Sequence, residues 1–291
     1  MVSLLISHLS LSFTQPTLLV GIVCGLSPPK IVADLSTMDP ESSRAFAERI
    51  SRDVPGCFLL DSPVSGSTLS VQKGLAVFMV GGRDEDFQRI RPILLDLGSR
   101  ATHLGGNGKG LALKLAINVN LAIQMQGLSE GLVLAEKAGI RTADALDVFL
   151  HSAVASPMVL YRGPFIAQLP QPAWFSCEMM QKDVQLALSL SRQVSEEGER
   201  NVSKGFWKGE MSVCVGKEEL KVEWGNGSFF LISTHTQVNA PLPLTSAVSQ
   251  SLTCASAIGY GEEDMAALYH VAAQMAGTRP PTHPPTHENA E

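Results

Sequence analysis

From Lys30 onward the chain alternates short apolar runs with amphipathic stretches. KIVADLST is followed by a helical period from Pro40 to about Ser51, and then by the runs GCFLLDSPVSG and LAVFMVGG. Short β-rich runs separated by helical periods predict βα units and a mostly parallel sheet. A helix from Asp84 to about Leu97 and a strand near Ala101 to Leu104 complete this section, which reads as the second part of a doubly wound α/β sheet. After Gly110 the strands stop. LALKLAINVNLAIQMQGLSEGLVLAEKAG keeps helical spacing until Gly139 ends it. TADALDVFLHSA, WFSCEMMQKDVQLALSLSRQ, PLTSAVSQSLTCASAIG and EEDMAALYHVAAQMAG predict further amphipathic helices, so the C-terminal half is expected to be all-α. The boundaries implied are an atypical N-terminus over 1–24, an α/β part over 25–108, a helical part over 109–277 and a proline-rich tail over 278–291.

One segment breaks the helical period. VSEEGERNVSKGFWKGEMSVCVGKEELKVEWGNGSFFLISTHTQ, residues 194–237, holds Trp207, Trp224 and several glycines. An inserted β-hairpin subdomain is one reading. The genetic code offers another: Gln193-Val194-Ser195 can be written CAG, GTA, AGT, a splice donor, and FFLISTHTQ can be written as a pyrimidine tract closed by CAG, an acceptor. On this reading 194–237 is a retained intron of a eukaryotic gene, and its excision joins SRQ to VNAPLPLTSAV as helix, loop and helix. SLLISHLSLSFTQ carries the same signature, with CAG at Gln15, so the coding sequence is expected to begin upstream of Met1.

Composition narrows the function classes. The chain has 291 residues, 45% of them hydrophobic, which supports packed cores. Its net charge of -6 comes without a basic cluster, so no nucleic-acid partner is expected. Cys24, Cys57, Cys177, Cys214 and Cys254 form no C-x-x-C pair and read as free thiols in a reducing compartment. His103, His151 and His270 show no metal spacing, so no metal is expected. The N-terminal apolar run lacks a basic flank and is interrupted by His8, Gln15 and Pro16, which argues against a signal peptide. No apolar stretch has the length of a membrane span.

The candidate chemistry lies in short motifs. In DSPVSGS, Asp61 to Ser67, a Ser-Gly-Ser turn after a strand offers N-H groups and hydroxyls to an anion such as a carboxylate, or simply punctuates the chain. GGNGKGLALKLAIN sets Lys114 and Asn118 four apart on one helix face. A lysine on an apolar helical stretch can have its pKa lowered and move a proton, while an amide one turn on orients a hydroxyl or carbonyl; a solvated surface lysine is the plain alternative. Gly106, Gly108 and Gly110 lack the spacing of a G-x-G-x-x-G dinucleotide loop, and no other run in the chain supplies one after a strand. DLSTMDP places Ser36 and Thr37 at the carboxyl end of a strand, where open α/β sheets bind ligands, though Thr37 or Asp39 would also serve as a helix N-cap. Lys182-Asp183 in MMQKDVQLAL reads from local residues as surface charge on an amphipathic helix.

The order DLSTMDP, DSPVSGS, GxGKGxxxKxxxN and a helix bearing KD resembles the β-hydroxyacid dehydrogenase family of 3-hydroxyisobutyrate dehydrogenase type. The resemblance covers about Gly25 to Gln193 and Val238 to Gly277. It implies a Rossmann-like, truncated NAD(P)-binding sheet followed by a helical domain, and NAD or NADP as cofactor. It also implies a small 3-hydroxyacid and its semialdehyde as substrate pair, a homo-oligomer, and a cytoplasmic or mitochondrial location. Lys114 is then the general acid/base, Asn118 a substrate ligand, and Ser65, Gly66 and Ser67 the carboxylate site. Ser36, Thr37 and Lys182 become cofactor contacts near the nicotinamide. The family usually has a second glycine where this chain has Ser67, whose hydroxymethyl is expected to narrow the carboxylate pocket. The first mononucleotide-binding half with its G-x-G-x-x-G is missing, which implies weak NAD(P) binding and an unpaired strand edge. A fragment or pseudoenzyme that keeps the helical domain as an oligomerisation module is the alternative.

Overall fold

The computed structural model describes residues 28–192 and 242–278 in full, together with the backbone of 2–5, 193–202, 211–215 and 218–222. The chain divides into two units, Met1–Leu188 with Pro243–Glu291, and Ser189–Leu242.

The larger unit begins with a parallel sheet of strands β1 (Val2–Leu5), β2 (Lys30–Asp34) and β3 (Cys57–Asp61), in that order, with Val2 opposite Ile31 and Ile31 opposite Phe58. The edge of β2 expected to be unpaired is therefore occupied, because β1 lies against it in parallel register. A second sheet orders β4 (Val64–Ser65), β5 (Val77–Val80) and β6 (Arg100–His103), β4 antiparallel and β6 parallel to β5. An antiparallel bridge between Asp61 and Gly81 links β3 to the end of β5.

Alternation along β2 and β3 explains why helices cover both faces. Ile31, Ala33 and Leu60 pack with Phe87, Ile90 and Leu94 of α3 (Asp84–Leu97). Val32, Cys57 and Leu59 pack against Phe46, Ala47 and Ile50 of α1 (Pro40–Asp53). Of the two candidate caps for α1, Asp39 is the one used: its carboxylate accepts the Ser42 N-H at 2.8 Å, with Pro40 at the first helical position. A short helix after Ser67, α2 (Thr68–Gln72), has no counterpart among the expected elements.

Helix α4 (Lys109–Lys137) runs from the sheet into a helical core. Its N-terminal residues Leu111 and Leu115 are buried, and farther along Ala122, Met125, Leu128 and Leu132 join the core. That core also takes in Met180 and Val184 of α7 (Cys177–Val202), Val248 and Leu252 of α8 (Pro243–Ala257) and Tyr269 of α9 (Leu268–Met275). Between α4 and α7 lie α5 (Thr142–Leu150), α6 (Pro157–Arg162) and a 3-10 turn, Gly163–Ile166. The helix expected across EEDMAALYHVAAQMAG starts late, with a 3-10 turn at Met265–Ala267. Asp264 sets that start: buried, it accepts from the Ala266 N-H at 3.0 Å, the Phe175 N-H at 3.2 Å and the Arg162 guanidinium at 2.8 Å.

In the second unit, α7 continues to Val202 instead of ending at Gln193, and β7 (Met211–Val215) pairs antiparallel with β8 (Glu218–Val222). The remainder of 194–237, on which the choice between inserted hairpin and retained intron turns, lies outside the described residues.

Gly110 is where α4 meets the sheet: a Cβ there would stand 2.3 Å from the Met79 carbonyl oxygen and 3.0 Å from that of Asp61. Both obstacles are backbone, so the helix must lift away. Gly110→Ala is expected to lower unfolding free energy by about 1–3 kcal/mol, the usual range for overpacking, read as an earlier urea midpoint; an unchanged midpoint would show the contact to be soft.

Candidate functional site

Lys114 stands one turn beyond the place where α4 leaves the sheet. It is partly buried, and burial is the main cause that lowers its pKa from the ordinary 10.5. The Asp183 carboxylate opposes that shift and Lys182 adds to it. Both come from α7, so the site forms where the helix carrying the candidate proton donor meets the one carrying the KD pair.

Asn118, four residues on and buried, donates its Nδ2 to Asp183 Oδ2 at 2.5 Å. That bond fixes the amide's orientation and leaves Oδ1 as its acceptor. Asp183 is only 2% exposed, and its other oxygen lies 3.2 Å from Lys182 Nζ. The local reading of Lys182-Asp183 as a charged surface pair is therefore corrected for Asp183: one member is exposed and the other is inside. What the sequence showed of Asp183 was only that it sits next to Lys182. Its burial follows from the packing of α7 into the core through Met180 and Val184, which flank it on the same helix.

The same Lys182 Nζ donates to the Thr37 carbonyl at 3.0 Å. This contact brings the carboxyl end of β2 to the helix pair. Beside Thr37, the Ser36 hydroxyl and N-H both bond Asp34 Oδ1, at 2.6 and 2.9 Å, which fixes the turn after the strand. Asn118, Asp183, Lys182 and Thr37 thus form one connected group, and Lys114 feels the charges of Asp183 and Lys182 within it.

The Ser65-Gly66-Ser67 turn is built differently. Ser65 pairs with Val77 in the β4-β5 ladder, Gly66 has a φ of +151° that favours glycine, and Ser67 is the N-cap of α2. The Ser67 hydroxyl accepts the Ser70 N-H at 3.3 Å and lies 3.1 Å from the Ser70 hydroxyl. The hydroxymethyl expected to narrow the carboxylate pocket is thus engaged in capping, and what remains for an anion is backbone N-H and the Ser65 hydroxyl.

Among the described residues, no group of three or more His, Cys, Asp or Glu side chains is arranged to hold a metal ion, and no helix is long and apolar enough to cross a membrane.

Known proteins share this plan. Residues 12–105 match the family described as the NAD binding domain of 6-phosphogluconate dehydrogenase. Residues 108–197 match the family described as NAD-binding of NADP-dependent 3-hydroxyisobutyrate dehydrogenase. The first match contains Ser36, Thr37 and the Ser65–Ser67 turn, and the second contains Lys114, Asn118 and Lys182. A similar curated protein is the glyoxylate/succinic semialdehyde reductase 2, chloroplastic, of Arabidopsis thaliana. It is 32% identical over 60% of this chain and 49% of its own length. The 3-hydroxyisobutyrate dehydrogenase of Pseudomonas aeruginosa is 33% identical over 60% of each chain. This chain therefore spans about half to three fifths of the length of these relatives. Among solved structures, a 3-hydroxyisobutyrate dehydrogenase from Salmonella typhimurium superposes with a TM-score of 0.66. It covers 93% of this chain and 78% of its own at 20% identity, a likeness of fold.

Because the Asp183 carboxylate holds the Lys114 pKa up against burial, Asp183→Asn removes an opposing charge and lets that pKa fall further. An NMR titration of isotope-labelled lysine ε-carbons, with Lys114 assigned by its loss in Lys114→Arg, is expected to show that downward shift. A midpoint that stays or rises in Asp183→Asn would mean the two charges are not coupled.

Proposed function

We propose that this chain, which belongs to the 3-hydroxyisobutyrate dehydrogenase-like family, carries the catalytic centre of an oxidoreductase that interconverts a small 3-hydroxyacid and its semialdehyde with NAD or NADP. The observation that carries the reading is Lys114: a partly buried lysine with a lowered pKa, one helical turn before an amide that Asp183 holds in place. A lysine whose pKa is lowered is neutral over more of the pH range than an ordinary surface lysine, and in that range it can exchange a proton with a substrate oxygen.

The residues fit the nicotinamide end of the cofactor, because Lys182 ties the Ser36-Thr37 turn to α7, whose Asp183 bonds Asn118 on the helix that carries Lys114. Thr37 and Lys182 would hold that end, and the cofactor, when bound, supplies the hydride acceptor or donor. No G-x-G-x-x-G follows a strand in this sequence, so none of its residues is assigned to the pyrophosphate. In the direction of oxidation, neutral Lys114 takes the proton of the alcohol as hydride leaves its carbon. In reduction, the ammonium form returns a proton to the carbonyl oxygen. Asn118 Oδ1 orients the hydroxyl, and the N-H groups of the Ser65-Gly66-Ser67 turn hold the carboxylate, which fixes the reacting carbon relative to Lys114.

The direction of the Lys114 shift sets the pH dependence. Oxidation needs the neutral amine, so its rate is expected to climb as pH rises through the lowered pKa and to level off below 10.5, whereas reduction falls over the same span. Lys114→Ala is expected to cost roughly 10²–10⁴-fold in kcat, the span attributable to one acid/base group, and to remove that pH limb. The test has two parts: fluorescence titration of the purified chain with NADH and NADPH, then nicotinamide absorbance with a panel of small 3-hydroxyacids and semialdehydes. A folded chain that binds neither nucleotide would overturn the enzyme reading and leave the non-catalytic helical module.

A further inference from the structure

The N-cap of helix α4 is Gly108, which has a φ of +86° and supplies no side-chain cap of its own. The N-H groups of a first helical turn have no partner within the helix, and in a buried turn something must satisfy them. Asp61, at the end of β3 and 1% exposed, does so from a distant part of the chain. Its Oδ1 accepts the Gly108 N-H at 2.8 Å and its Oδ2 the Leu111 N-H at 3.1 Å.

Two glycines keep room for that carboxylate. A Cβ on Gly81 would stand 2.6 Å from both of its oxygens, and one on Gly110 would stand 2.9 Å from Oδ2. The backbone of Asp61 is locked as well, since it exchanges hydrogen bonds with Gly81 at 3.1 and 2.8 Å. Asn107 adds a second tie from the same turn, donating from Nδ2 to the Leu59 carbonyl at 2.8 Å. The start of α4 is thereby fixed to β3 both along its axis and in rotation. Lys114 rides on this turn, three residues after Leu111 and four after Gly110. In the other direction, the backbone of Asp61 runs on through Ser62 and Pro63 into the Ser65-Gly66-Ser67 turn.

We propose that Asp61 is a positioning residue that sets the spacing between the carboxylate turn and Lys114: its main chain leads into one, and its side chain clamps the first turn of the helix that carries the other. Asp61 is not among the charges that perturb Lys114, so it acts through the helix and not through its field. Burial raises the pKa of Asp61 itself while the N-H groups of Gly108 and Leu111 pull it back, as expected for a carboxylate whose partners are backbone donors. This inference rests on the reading of Lys114 as the proton-transfer group.

The test compares Asp61→Asn with the parent chain. Asparagine keeps one acceptor oxygen and turns an NH2 toward the second N-H, so the clamp is half lost. The first readout is the NMR titration of Lys114, which needs neither substrate nor cofactor. Loosening the first turn lets water reach Lys114, so its midpoint is expected to move up toward the ordinary 10.5. The second readout, hydride transfer, is expected to lose about 10- to 100-fold in kcat with less than a threefold change in the NADH or NADPH dissociation constant, the scale of a small misplacement of a catalytic group. Asn107→Ala, which cuts only the second tie, is expected to shift the Lys114 midpoint the same way by less, and it answers the question should Asp61→Asn not fold. A Lys114 midpoint that stays in place in the variant that folds, with kcat per folded molecule unchanged, would overturn the proposal and leave Asp61 a cap that serves stability alone. A shifted midpoint in a chain that transfers no hydride would keep the clamp and remove the proposed function.

Discussion

Helix α4 has to start against a sheet and finish in a helical core, and its first turn arrives with unpaired N-H groups in a place where water is scarce. The Asp61 carboxylate meets both demands at once. It replaces solvent at the Gly108 and Leu111 N-H groups and places negative charge at the positive end of a long helix, where the dipole favours it. The contact requires missing side chains at Gly81 and Gly110, so three residues far apart in sequence form a single joint. Everything farther along α4, including Lys114, Asn118 and the apolar positions that enter the helical core, takes its place from that joint.

The electrostatics of the site follow from the same economy of partners. A lysine withdrawn from water favours its neutral form, and a second ammonium at Lys182 pushes in the same direction. One carboxylate, Asp183, opposes that shift: it holds the Lys114 pKa up, lies 3.2 Å from Lys182 Nζ, and accepts from Asn118. A single buried carboxylate lies among two lysines and an amide, and on the proposed function that arrangement suits a group that both gives and takes a proton.

What could be read from residues alone was the part that depends on local period and spacing. The helix from the glycine-rich turn to Gly139, the strands at Lys30, Cys57 and Val77, and the four-residue interval between Lys114 and Asn118 each stand in a continuous stretch of sequence. Asp61 and Asp183 could not be assigned in the same way. Each is a short acidic side chain whose role depends on a partner 47 or more positions away, and a carboxylate in a strand end or beside a lysine looks the same whether water or a helix end receives it. The pairing of Val2–Leu5 with β2 was hidden for a similar reason, since parallel partners are joined through long connections and leave no hairpin signal. At Asp264 the helical period was legible but the start was not, because a buried carboxylate with three donors redirects the chain into a 3-10 turn.

The placement of Ser67 bears on how such a site can change its substrate without losing its chemistry. Its hydroxyl caps α2, so the residue contributes to the turn through its backbone, as a glycine would, while the side chain stabilises the helix that follows. Carboxylate recognition by N-H groups depends on the path of the main chain, and that path is held by the β4-β5 pairing on one side and by the connection from Asp61 on the other. On the proposed function, the proton-transfer group Lys114 is carried by α4, and the Asp183 charge opposes its loss of a proton. On that same proposal, selectivity among small hydroxyacids varies through the side chains that face the reacting carbon, while the two anchors and the distance between them stay as the backbone sets them.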